Sequence, residues 1–214
     1  MRKARLRGLY AITDATLQEP EQLPERVAQA IEGGARLVQY RDKSGDRAAR
    51  LRQARVLAEL CRAHGVPLII NDDTRLAADS GADGVHLGRD DEDPAAARRR
   101  LGAQAIIGVS CYDQWPRALQ AVEQGVDYIA FGRFFPSRTK PLAVQASLDL
   151  IRRAKQQLAV PVAAIGGVTA QNGAQLVAAG ADMLAVVRGV FAAPDIRQAA
   201  RAYAALFDRD DDEY

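Results

Sequence analysis

Two kinds of side chain recur where the apolar runs of this chain end: donors to phosphate oxygens, and carboxylates in pairs. The run Tyr128-Ile129-Ala130-Phe131 gives way to Phe134-Phe135-Pro136-Ser137-Arg138-Thr139-Lys140, which sets two hydroxyls, a guanidinium and an ammonium within a few residues. Such a set suits phosphate, because each group donates where the ligand carries only acceptors. Taken alone the stretch reads equally well as a solvated basic loop. Its company decides the matter. Arg41-Asp42-Lys43-Ser44, Asn71-Asp72-Asp73, Arg89-Asp90-Asp91-Glu92-Asp93, Ser110, Gly166-Gly167 and Arg188-Gly189 each follow an apolar run in the same way.

Those runs are short, β-branched and separated by helical spacing, so they read as strands alternating with helices. The expected strands are Leu9–Ile12, Arg36–Tyr40, Pro67–Ile70, Gly84–Leu87, Ala105–Val109, Tyr128–Phe131, Val160–Ile165 and Met183–Val187. Helices are expected over Leu23–Ile31, Asp46–His64, Thr74–Asp79, from Pro94, and over Gln114–Gln124, Val144–Leu158, Ala170–Ala179 and Asp195–Leu206. His64 would soften the negative end of its helix. Near-continuous apolar strands joined through helices imply a parallel sheet covered on both faces. Eight such units in 214 residues fit one compact (β/α)8 TIM barrel spanning 1–214, with a doubly wound open sheet as the runner-up. The acidic end from about residue 208 reads as a solvated, frayed tail.

A barrel gathers the C-terminal ends of its strands on one face. Arg41, Lys43, Asn71, Asp72, Asp91, Ser110, Lys140, Gly167 and Arg188 are therefore expected in one site. Cations, an amide, hydroxyls and glycine turns together suit a phosphate or diphosphate, with backbone N–H groups of Gly166-Gly167 and of the turn after Val187 as a cradle. Asp72 and Asp91 come from neighbouring strand ends, and carboxylates facing phosphates suit Mg²⁺. The competing use of these acids is helix capping, by Asp72 or Asp73 and by Asp90, Asp91 or Asp93 before Pro94. One acid in each cluster should cap and one should bind metal; spacing alone does not say which.

Composition narrows the class. The formal net charge of +2 is near balance, which argues against nucleic acid or a membrane surface as partner. Met1 to Leu9 carries four basic residues without the apolar stretch of a signal peptide, and no run is long enough to span a bilayer. Cys61 and Cys111 lack metal spacing and sit in apolar runs, as buried free thiols of a reducing, cytoplasmic setting would.

In order along the chain, Gln39-Tyr40-Arg41-Asp42-Lys43, Asn71-Asp72-Asp73, Asp83-Gly84-Val85-His86-Leu87-Gly88, Gly108-Val109-Ser110, Pro136-Ser137-Arg138-Thr139-Lys140 and Ala164-Ile165-Gly166-Gly167 resemble the thiamine-phosphate synthase family. The resemblance runs from Leu9 to about Phe191. Single blocks are shared by many phosphate-binding barrels, whereas the ordered set is specific. It implies a transferase that joins 4-amino-5-hydroxymethyl-2-methylpyrimidine diphosphate to a thiazole phosphate, giving thiamine phosphate and diphosphate. It further implies that Gln39, Tyr40, Arg41, Asp42, Lys43 and Asn71 hold the pyrimidine diphosphate, assisted by Ser110 and Lys140. Asp72 and Asp91 would be the Mg²⁺ ligands. Ser137, Arg138 and Thr139, with Gly167 and the Val187-Arg188 turn, would hold the thiazole phosphate. Arg41, Lys43 and Lys140 would neutralise the charge of the leaving diphosphate, and no base or covalent nucleophile is required.

Three positions depart from the family pattern: Arg89 stands where Gln is usual, Arg188 where Ser is frequent, and Ser137 where Thr is familiar. Arg89 would contact diphosphate or pair with Asp90. His86 reads as a hydrogen-bonded core histidine, Tyr112 and Trp115 as pocket wall or helix packing, and Cys111 as an unreactive thiol. Two rival functions are a thiazole tautomerase of the same superfamily and a catalytically silent phosphate-binding barrel. Retention of the diphosphate set speaks against the tautomerase. The sequence leaves oligomeric state open, a homo-oligomer included.

Overall fold

The structure, a computed structural model, describes residues 6–136 and 145–208. Eight parallel strands, β1 Gly8–Ile12, β2 Ala35–Tyr40, β3 Leu68–Asn71, β4 Gly84–Leu87, β5 Ile106–Tyr112, β6 Tyr128–Phe131, β7 Val162–Ile165 and β8 Met183–Val186, follow one another around a closed barrel. β8 pairs with β1 to complete the closure, so the open-sheet alternative falls and the fold is a (β/α)8 TIM barrel.

Strand alternation sorts each strand's residues into two cores. Tyr10, Leu37, Ile69, Ile106, Tyr128, Ala163 and Met183 fill the barrel interior. Their neighbours Leu9, Val38, Ile70, Ile107, Ile129, Ala164 and Leu184 face outward into a second core under the helices.

The helices are α1 Leu23–Glu32, α2 Arg47–Ala63, α3 Thr74–Ser80, α4 Pro94–Leu101, α5 Trp115–Glu123, α6 Leu148–Gln157, α7 Gly173–Ala178, α8 Arg188–Phe191 and α9 Ile196–Ala204, with a 3-10 turn over Pro20–Gln22. His64 Nδ1 lies 2.9 Å from the Leu60 carbonyl at the end of α2, where the sequence placed it. Two expected helices begin later than the spacing suggested. Residues 145–147 precede α6 without helical structure. Before α7, Thr169 and Asn172 exchange side-chain-to-backbone hydrogen bonds of 2.8 and 3.2 Å, a local turn that competes with the helix. β5 runs past Val109 to Tyr112, so Ser110 lies within the strand, just before a register irregularity against β6.

The turns Gly81-Ala82-Asp83, Gly125-Val126-Asp127 and Gly180-Ala181-Asp182 repeat a Gly-x-Asp pattern and have one shared job at the N-terminal end of the barrel. The carboxylates of Asp83, Asp127 and Asp182 accept from the backbone N–H of Leu68, Ile107 and Val162 at 2.9, 2.8 and 2.8 Å. Each acid thereby ties its own strand to the one before it. Among the described residues no helix is long and apolar enough to cross a membrane.

Candidate active site

All eight strands send residues to one cavity of about 540 Å³ at their C-terminal ends. Tyr10 and Ile12 come from β1, Gln39 and then Arg41 from β2, Asn71 from β3, His86 from β4, and Ser110 and Tyr112 from β5; Arg133 and Pro136 follow β6, and Gly166, Gly167, Val187 and Arg188 close the ring. An outer groove lined by Asp42, Lys43, Asp72, Asp73 and Arg75 meets this cavity at Asn71, which lines both. Of the residues expected to converge, Arg41, Asn71, Ser110, Gly167 and Arg188 line the cavity and Lys43 and Asp72 the groove, while Asp91 lines neither. Ser137, Arg138, Thr139 and Lys140 lie outside the described residues.

The competition among acidic residues resolves by geometry. Asp73 Oδ1 accepts from Leu76 N at 2.8 Å and caps α3, while Asp93 caps α4 by accepting from Ala95 N and Ala96 N. Asp73 is further held by Arg50 at 3.3 Å. With the caps taken, Asp72 sits at φ 64, in the left-handed region that Asp tolerates better than most residues, its N–H donating to the His86 carbonyl at 2.8 Å. Lys43 Nζ approaches its carboxylate at 3.4 Å. Asp91 accepts from Gly88 N at 2.6 Å. Burial raises the pKa of Asp91, and the nearby carboxylate of Asp72 raises it further, while the Gly88 N–H and the Lys43 charge oppose the shift. Two carboxylates close enough to repel are a site that a cation would relieve.

Arg41 is fixed twice: its backbone N–H donates to Thr13 Oγ1 at 2.9 Å and its guanidinium lies 3.8 Å from Asp14. Asp42 folds the loop by accepting from Ser44 N at 2.7 Å. Tyr40 departs from the expectation that it contacts substrate. It alternates with inward-facing Gln39 and so points into the outer core, where its hydroxyl meets Asp42 at 3.2 Å and Gln53 at 2.6 Å. Its part is to brace the loop that carries Arg41 and Lys43.

On the opposite side, Gly166 and Gly167 turn with φ 99 and 66. A Cβ on Gly167 would lie 2.4 Å from the Pro136 carbonyl oxygen, so only glycine lets this turn touch the chain leaving β6. Phe135 N donates to Gly166 O at 3.0 Å across the same contact. Val187 and Arg188 adjoin the turn in the cavity wall, where Arg188 opens the short helix α8 instead of the expected turn.

Of the two expected uses of Arg89, a diphosphate contact or a pair with Asp90, the second is not taken up; its guanidinium lies 4.9 Å from the centroid of the Tyr112 ring. Arg117 fastens the β4 and β5 ends by donating to Gly88 O at 2.8 Å and Ser110 O at 2.7 Å. Trp115 packs on the outer core with Arg153 4.1 Å from its ring centroid, leaving Tyr112 as the aromatic of the wall. The cavity floor carries little signal in the local sequence, where Tyr10, Tyr128 and His86 resemble ordinary core residues. Gly108, a glycine inside a strand, was the available sign of a close approach there.

Among the described residues no three His, Cys, Asp or Glu side chains gather as a metal cage. A pair of carboxylates completed by substrate oxygens and water is the donor set that Mg²⁺ commonly takes.

Comparisons with known proteins point to one family. The family model described as thiamine monophosphate synthase matches residues 9–190. A thiamine-phosphate synthase of Aromatoleum aromaticum is 53% identical over 208 residues, covering 97% of this chain and 100% of that protein. One of Chromobacterium violaceum is 55% identical over 203 residues, covering 95% and 97%. The solved structure of thiamine phosphate pyrophosphorylase from Pyrococcus furiosus superposes with a TM-score of 0.85 at 31% identity, covering 96% of this chain and 97% of that one. The chain belongs to the thiamine-phosphate synthase family of transferases.

Proposed function

We propose that this chain transfers the 4-amino-2-methyl-5-pyrimidinylmethyl group from its diphosphate to 4-methyl-5-(2-phosphooxyethyl)thiazole, releasing diphosphate and thiamine phosphate. Family membership supports the reaction. The single structural observation that carries it is the repelling pair Asp72 and Asp91, with Lys43 3.4 Å from Asp72 in an outer groove that meets, at Asn71, a cavity lined by Arg41 and the Gly166-Gly167 turn. That juxtaposition suits a diphosphate at one end and a phosphate across the cavity.

Asp72 and Asp91 would hold Mg²⁺, supplying positive charge to the oxygens of the leaving diphosphate. Arg41, Lys43 and, by the family resemblance, Lys140 add fixed cations toward the same oxygens as the carbon–oxygen bond to the pyrimidinylmethyl carbon breaks. The 4-amino group of the ring feeds electron density toward that carbon, so the substitution is dissociative. The cavity then has to hold the thiazole nitrogen in line with the carbon, and its phosphate would rest on Gly167 and the Val187-Arg188 segment, with Ser137, Arg138 and Thr139. Neither His86 nor Cys111 needs to act as base or nucleophile.

The test is turnover of the two substrates with and without Mg²⁺ by the native chain and by Lys140→Ala. One preorganised charge-stabilising donor is worth about 3 kcal/mol, so the variant should lose roughly a hundredfold or more. Magnesium-independent product, or an unimpaired variant, would overturn this assignment.

A further inference from the structure

Five polar side chains cross the floor of the cavity in one unbroken hydrogen-bond chain. Gln39 Nε2 donates to Tyr10 Oη at 2.5 Å, Tyr10 Oη lies 2.8 Å from Tyr128 Oη, Tyr128 Oη lies 2.9 Å from His86 Nδ1, and His86 Nε2 lies 2.9 Å from Ser110 Oγ. The two ends, Gln39 and Ser110, are the residues placed against the pyrimidine diphosphate above. The three middle members belong to no step of the reaction.

Each hydroxyl has one proton, and that makes the chain directional. Gln39 donates with an NH₂ group, so Tyr10 must spend its own proton on Tyr128. Tyr128 then spends its proton on Nδ1 of His86. A neutral imidazole that accepts at Nδ1 carries its proton on Nε2, which donates to Ser110 Oγ. The hydroxyl proton of Ser110 is thereby turned away from His86. At the other end, a Gln39 amide that donates to Tyr10 has its oxygen left over for a ligand. Turning the amide over would reverse every arrow.

We infer that Tyr10, Tyr128 and His86 are positioning residues that lock Gln39 to present an acceptor and Ser110 to present a donor, and so decide which aminopyrimidine edge the cavity accepts. An exocyclic amino group gives a donor for the Gln39 oxygen. Ser110 meets an acceptor of the same substrate, a ring nitrogen or a diphosphate oxygen. A 4-oxo pyrimidine presents an acceptor where the amino group donates, and against a locked Gln39 two acceptors would face one another. Packing holds the relay rigid: Tyr10 meets Tyr128 edge-on at 83°, and His86 stacks on Tyr128 with centroids 5.5 Å apart. This inference rests on the proposed reaction for its substrate but not for its direction.

The direction can be read in the whole ligand-free protein. The chain has two histidines, His64 and His86, so ¹⁵N-histidine labelling yields two imidazoles to assign. His86 should be the neutral Nε2–H tautomer in the native protein and should lose that fixed state in Tyr128→Phe. The kinetic arm compares the aminopyrimidine diphosphate with its 4-oxo analogue in native protein, Tyr10→Phe and Tyr128→Phe. Both variants should lose about tenfold or more of the preference for the amino substrate, with the KM for thiazole phosphate unchanged, since a buried mispaired polar group carries that order of penalty. An Nδ1–H tautomer or a doubly protonated ring in native protein would overturn the inference. So would variants that melt earlier yet keep the native preference, because the relay would then be only a satisfied core network. A native protein without turnover would fail the proposed reaction alone, since the tautomer still reports the direction.

Discussion

A Cβ atom built on Gly108 would lie 2.0 Å from Cζ and 2.4 Å from Oη of Tyr128. The two residues are register partners on β5 and β6, so the absent side chain is what admits the buried phenol between His86 and Tyr10. Gly108→Ala should therefore displace Tyr128 and break the relay across the floor. Overpacking of this kind costs about 1–3 kcal/mol. The expected result is a lower denaturant midpoint together with a raised KM for the pyrimidine diphosphate, measured by urea unfolding and steady-state kinetics. A midpoint within error of native would show that the ring has room to move.

Asp91 and Asp73 should respond in opposite ways. Asp91→Asn retains an acceptor for Gly88 N but removes a charge that repels Asp72, so the metal-free protein should be as stable as native or slightly more so. Magnesium-dependent turnover should nonetheless collapse. Asp73→Ala removes a cap and should cost about 1 kcal/mol while leaving the Mg²⁺ requirement largely intact. Thermal melts and Mg²⁺ titrations of the two variants separate these roles; a shared phenotype would contradict the division of labour.

The cysteines carry a pH dependence. Burial pushes the thiols of Cys61 and Cys111 up to about 12, with Asp83 adding to the shift at Cys61 and Arg117 opposing it at Cys111. In the unfolded chain a thiol titrates near ~8.5, so the fold holds protons there that the unfolded chain releases. Stability from these groups is fully present below that unfolded value and is lost as pH rises toward about 12. Urea midpoints measured from pH 7 to pH 10 should fall, and fall less steeply in Cys61→Ala/Cys111→Ala. Buried Tyr10 and Tyr128, also raised, supply the remaining slope at the alkaline end. Thiol-specific reagents should label neither cysteine of the native protein quickly.

Most of the barrel was legible because β-branched runs, glycine stops and helical spacing recur with a short period. The Gly-x-Asp turns could be counted in the sequence, but their clamp onto the preceding strand required the strand register. Asp72, Asp73, Asp91 and Asp93 could be named as capping or metal-binding acids without being assigned, because a cap is defined by which N–H groups the carboxylate reaches, not by spacing. Tyr40 was read through a contiguous motif, while alternation along β2 turns it to the other face from Gln39. Tyr10 and Tyr128 are separated by 118 residues and meet only when the barrel closes. Nothing in their local sequence distinguishes them from aromatic core.

The most direct measurement is formation of thiamine phosphate and diphosphate from the pyrimidine diphosphate and the thiazole phosphate by the native chain, with Mg²⁺ and again after chelation. Both products should form in equal amount, fall to near background on chelation, and recover when Mg²⁺ is returned. A folded native protein that forms no thiamine phosphate with both substrates and Mg²⁺ present would contradict the proposed reaction.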